Sequence, residues 1–290
     1  MRYFNLACRF IKHNFFKLAL TTILPAVFLA FAHNPALKFY TLLTLSDMPN
    51  NDFWDVVQGI ALIADWRKML LFIFMGVLFS VFISSAVGAI ERRMRYGEFY
   101  ESGGVIKFFL RKVNDNFLHV FKYVLTLILI FEALSVVEAL LVYLWMNVLG
   151  EISMVVASCI TAFVFSAVGL CIFVLMIFTL PNMTIRGYNL RQSLAASTRT
   201  FNRVRYMSVL VTLALTCLIT ILPLAANAIL VSLFRYSGFQ VVNWVLSFAW
   251  YYLCCLFLPS YIYAAYFDAE DMERVDIQGD KFADANIEEN

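Results

Sequence analysis

Glu132, Ser135 and Glu138 stand in the run Ile130 to Tyr143, IFEALSVVEALLVY, which is otherwise apolar. At steps of three residues, two carboxyl groups and a hydroxyl fall within about 120° of arc on one α-helix. Such a set can pass a proton, hold a small cation or bind a substrate amine. It can also tie helices together as protonated hydrogen-bonding groups. In a lipid interior an ionised carboxylate at helix centre costs about 2.5–3.5 kcal/mol. It must therefore face inward, take up a proton or find a partner. No Lys or Arg falls in the core of any predicted span. Protonation, or hydrogen bonds from neutral neighbours such as Asn227, Asn243 and Ser247, is what remains.

The elements that must position these groups are membrane helices. The chain has 290 residues, of which 62% are hydrophobic and 14% charged, with a mean hydropathy of +0.78. A soluble domain is nearer half apolar and about a quarter charged, and a compact soluble surface needs that charge. At roughly 20 residues per crossing, there is room for about six spans. The apolar runs place them near 16–33, 69–91, 119–147, 153–180, 207–234 and 241–267. The expected fold class is all-α, a polytopic helical membrane protein of six transmembrane helices with cytoplasmic amphipathic elbow helices.

Basic residues orient the spans. Arg2, Arg9, Lys12 and Lys17, then Arg92 to Lys122, then Arg186 to Arg205, then Arg274 and Lys281 fall on one side. Only Lys38, Arg67, Lys68 and Arg235 fall on the other. By the positive-inside rule both termini are cytoplasmic and the protein belongs in the cell membrane. Ala30-Phe31-Ala32 has the form of a signal-peptide cleavage site. Pro25 and the long lead before the apolar run favour a retained anchor.

The membrane domain, 1–268, divides into units 1–91, 92–180 and 181–268, each a basic amphipathic stretch followed by two spans. In the second unit Ile106, Phe109, Val113 and Phe117 share one helical face, and Lys107, Arg111 and Asn114 another. The third sets Leu190, Leu194 and Phe201 against Arg191, Arg199 and Arg203. This is the pattern of a helix in the headgroup plane. Lys107, Arg111, Lys112, Arg191, Arg199 and Arg203 are thereby candidates for contact with anionic lipid. Gly76, Ser80, Ser84 and Gly88, and again Ser158, Ala162 and Ser166, recur every four residues as expected packing seams between helices. The outward loop 34–68 holds two short apolar-faced segments, around 39–45 and 53–64. The acidic tail, 269–290, is expected to be mostly disordered.

Six scattered cysteines and three scattered histidines outline neither a disulfide framework nor a metal site. No GxSxG, HExxH, GxGD or Walker motif occurs, so no catalytic role, cofactor or nucleic-acid partner is expected. Active transport would draw on an ion gradient or on a partner protein such as an ATPase subunit.

The segment LPNMTIRGYNLRQSLAASTRTFNRV, with Pro181, Gly187, Ser193, Leu194 and Ser197, resembles the membrane domain attached to some glycerophosphodiester phosphodiesterases. It also resembles related uncharacterised six-span bacterial inner-membrane proteins. The similarity extends loosely over 95–268 and implies architecture more than activity. The expected function is a transport-type or permease-like component, with membrane lipids as partners. The competing expectation is a non-transporting scaffold that organises lipids or a partner protein.

Overall fold

The computed structural model describes residues 2–32, 42, 53–61, 66–100, 104–201, 203–234 and 239–276. Among the described residues the regular elements are all helices: α1 (Arg2–Ala32), α2 (Phe53–Ile60), α3 (Trp66–Tyr96), α4 (Val105–Val148), α5 (Glu151–Met176), α6 (Thr179–Arg186), α7 (Leu190–Thr200), α8 (Arg203–Phe234) and α9 (Phe239–Ala269). Among the described residues six stretches are long and apolar enough to cross a bilayer: Tyr3–Phe31, Met69–Tyr96, Val105–Val148, Ile152–Arg186, Arg205–Asn227 and Val241–Ala269. The protein is an all-α multi-pass membrane protein.

The long helices pack as a ring in chain order. Helix α1 lies between α9 and α3, α4 between α3 and α5, and α8 between α5 and α9. Direction alternates around the ring. Arg93, near the end of α3, hydrogen-bonds Asn14 in the first half of α1, while Phe31 at the end of α1 meets Trp244 near the start of α9. The starts of α1, α4 and α8 and the ends of α3, α5 and α9 therefore share one end of the bundle. That end carries Arg9, Lys12, Arg92, Arg93, Arg95, Lys107 and Arg186, and is called the basic end below.

Pro25, Pro223 and Pro259 sit inside α1, α8 and α9 without dividing them. The first helix runs on through Ala30, Phe31 and Ala32. The second basic stretch is not a separate helix. It is the first third of α4, whose 44 residues run unbroken. At 1.5 Å per residue that is about 66 Å, twice a hydrocarbon core of about 30 Å. The physical reason is that no Gly or Pro occurs between Val105 and Val148, so nothing competes with helix propagation. In the third unit such breakers are present. Pro181 occupies the first turn of α6, where its missing N–H costs little. Gly187 closes that helix at φ +66°, a left-handed conformation that glycine adopts without strain. A capping box, Asn189 with Gln192, then starts α7.

The largest core lies at the basic end. Its hub is the end of α9, where every residue from Tyr261 to Phe267, YIYAAYF, is buried. Around it sit Ile90 and Met94 of α3, Phe108, Val120 and Tyr123 of α4, and Phe178 before α6. A smaller cluster lies toward the opposite end, where Val56, Val57 and Ile60 of α2 cover Ala139, Val142 and Met146 of α4. Ala26 and Ala30 pack with Tyr251 and Cys255 along the α1–α9 seam.

Candidate functional site

Helix α4 carries all three polar residues of the intramembrane run, but their surroundings differ. Glu138 is 1% exposed. It neighbours Ala139 and Val142, which belong to the apolar layer roofed by α2. Glu132 and Ser135 are half-buried. From Lys122, Glu132 stands about 15 Å along the axis and Glu138 about 24 Å. Of the other candidate partners, Asn243 and Ser247 are buried on α9 and Asn227 is half-buried on α8. The single polar face read from spacing thus divides into one enclosed acid and one acid on a more open surface. Helix α4 is also the least covered of the six. Only 11% of its most apolar stretch is buried, against 24–39% for the others.

The packing seams are shorter than their spacing suggests. Ser80, Ser84 and Gly88 are buried, and Gly88 is the notch over which α4 passes. A Cβ there would lie 2.8 Å from Lys112 Cδ and 3.1 Å from Asn116 Nδ2. Gly76 is not part of the contact, since a Cβ at that position would meet nothing within 4 Å. On α5, Ser158 and Ala162 are buried but Ser166 is exposed. The close approach falls instead at Gly169, where Phe131 of α4 would come within 2.8 Å of a Cβ. An i, i+4 series assumes a straight, parallel seam, whereas neighbouring helices cross and diverge.

The candidate lipid-contact cations also separate. Lys107 and Arg111 are exposed on α4, and Arg191 and Arg199 on α7. Lys112 is half-buried, its aliphatic stem laid across Gly88 and its charge within electrostatic reach of Glu91. It packs α4 onto α3 rather than standing free toward headgroups. The Arg203 side chain lies outside the described residues. In α7 the inward face is small and polar: Ser193 and Ser197 are fully buried, and Ser197 donates to the Leu175 carbonyl at 2.6 Å.

A buried polar cluster at the basic end does not stand out from the sequence. Tyr263 Oη and Thr184 Oγ1 are 2.6 Å apart. Tyr266 donates to Asn182 Oδ1 at 3.0 Å. Glu91 accepts from Arg95 at 3.2 Å. Glu91 and Tyr123 both lie within electrostatic reach of Tyr263. Asn116 Nδ2, Tyr123 Oη, Thr179 Oγ1 and Asn182 Nδ2 are buried with no hydrogen-bond partner among the described residues. The available signal was three tyrosines within six residues at the end of a span, which composition alone reads as an interfacial belt.

The first residues after α9 are tied to this end. Glu270 pairs with Arg186 of α6 and accepts from Thr200 Oγ1 at 3.0 Å. Arg274 and Asp276 form an ion pair at 2.7 Å with side chains 6% and 7% exposed. The remainder of the acidic tail, 277–290, lies outside the described residues, as does most of the outward loop apart from α2. Glu270→Ala is expected to loosen this strap by about 1 kcal/mol, since Arg186 is partly solvated. Trypsin cleavage after the buried Arg274 should then quicken about fivefold, because cleavage of a locally opened segment tracks its open population. Unchanged cleavage would show that the strap is held elsewhere.

No family model, curated protein or solved structure matches the chain.

Proposed function

We propose that this multi-pass membrane protein is a non-enzymatic, transport-type component of a cell membrane, with both termini cytoplasmic and Glu132 and Ser135 on its polar path. The supporting observation is the half-burial of Glu132, about 15 Å from Lys122, on the least covered spanning helix. Facing lipid there would cost an ionised carboxyl about 2.5–3.5 kcal/mol. A water-lined path, or the surface of a partner subunit, removes that cost. A carboxyl beside a hydroxyl suits passage of a proton, a small cation or an amine.

The experiment is accessibility from water. In a cysteine-free background, Glu132→Cys or Ser135→Cys should react with a charged, membrane-impermeant methanethiosulfonate. Leu140→Cys, on the outward surface at 54% exposure, should stay unlabelled in lipid. If neither polar position reacts while the protein is folded in vesicles, the path does not exist.

The second reading, a scaffold that organises lipids or a partner, draws support from Glu138. Its enclosure inside the bundle suits a structural group that ties helices together. Loss of a cellular phenotype on changing Arg191 and Arg199, with Glu132→Gln silent, would favour this reading. The resemblance of the 181–197 segment to phosphodiesterase membrane domains is compatible with either.

A further inference from the structure

A cleft of about 500 Å³ opens at the basic end between α4 and the start of α7. It is lined by Lys122, Leu125, Thr126 and Leu129 of α4 and by Asn189, Leu190 and Arg191. We propose that this cleft binds one anionic phospholipid, its phosphate between Lys122 and Arg191 and an acyl chain along Leu125 and Leu129.

The argument begins with helical spacing. Lys122, Leu125, Thr126 and Leu129 fall within about 100° of one face of α4, with Leu129 about 10 Å beyond Lys122 along the axis. A cation at the mouth and leucines deeper along the span match the order of headgroup and hydrocarbon. The opposite wall adds one polar, one apolar and one cationic residue, Asn189, Leu190 and Arg191. In the capping box Asn189 uses its Oδ1 and its backbone N–H, so its Nδ2 hydrogens take no part and suit a phosphate oxygen. Thr126 donates to the Lys122 carbonyl and offers only an acceptor, so it suits a glycerol hydroxyl rather than the phosphate.

Charge selects the ligand class. Among the described residues no acidic group pairs with Lys122 or Arg191, whereas Arg111 has Asp115 and Arg186 has Glu270. His119, one turn before Lys122, lies within its electrostatic reach and adds no negative charge. Two cations facing one space, with no acidic partner among the described residues, favour an anion. Leu125 and Leu129, at 39% and 58% exposure, favour one that carries an apolar chain. The volume is within the range of about 300–1,000 Å³ usual for small-molecule sites. The cations named from the sequence included Arg191 but not Lys122, because the pairing exists only where α7 folds back against α4.

The test uses the full chain, delipidated in mild detergent and titrated by native mass spectrometry. The probes are phosphatidylglycerol and phosphatidylcholine of identical acyl chains. Phosphatidylglycerol should bind more tightly, and Lys122→Gln and Arg191→Gln should each weaken it about fivefold. Both side chains are exposed, so these variants should keep the helical content and elution of the unchanged chain. Lys12→Gln, exposed on α1, removes one charge at the basic end away from the cleft and should leave binding intact. Equal binding of the two lipids, or equal loss in the Lys12→Gln variant, overturns the site. If inorganic phosphate displaces the lipid at matching concentration, the ligand is free phosphate and the lipid assignment fails. Glu132→Gln should leave lipid binding unchanged, which separates this result from the transport reading.

Discussion

Tyr263→Ala is expected to lower stability by about 3–5 kcal/mol, the range for removing a large aromatic side chain from a closed core. Tyr263 is fully buried at the hub of the basic-end core. Its hydroxyl donates to Thr184 Oγ1 at 2.6 Å, because Thr184 directs its own hydrogen to the Leu180 carbonyl at 3.1 Å. Tyr263→Phe keeps the ring and leaves Thr184 its second bond, so it should cost only about 1 kcal/mol. Thermal unfolding of both variants in detergent measures the difference. Melting of the alanine variant alongside the phenylalanine variant would mean that the α9 hub is not packed as described.

Gly88→Leu should destabilise the α3–α4 contact by about 3 kcal/mol, the upper range for overpacking a close seam. Even the first added carbon would stand 2.8 Å from Lys112 Cδ, and a leucine adds three more. Both the Lys112 stem and the buried Asn116 side chain must move aside to admit it. Gly76→Leu, three turns away in the same small-residue series, supplies the contrast. Nothing lies within 4 Å of its Cβ position, so that change should be neutral or slightly stabilising through helix propensity. Comparable losses at the two glycines would remove the basis for placing the seam at Gly88.

These two pairs also show where reading the chain succeeds and where it stops. Six spans, their helical class and the bunching of basic residues follow from composition and spacing, because apolar length and charge act on each segment alone. The start of α7 at the Asn189–Gln192 box and the stop of α6 at Gly187 are likewise local chemistry. So is the unbroken run of α4, although its amphipathic beginning drew attention to a separate surface helix.

Relations between segments are different in kind. Gly76 and Gly88 are equivalent in the series, and only the crossing of α4 makes one a notch and leaves the other open. Glu132 and Glu138 are equivalent acids in one apolar run, and only tertiary packing buries the second and leaves the first half-exposed. Lys122 and Arg191 lie 69 positions apart and line one cleft because α6 and α7 turn back beneath α4. The sequence by itself determined that this protein dissolves in a bilayer as helices with a cationic end, since each helix answers to its own solvent. Which groups meet inside it was decided by tertiary packing alone, since contact depends on how separately stable helices cross.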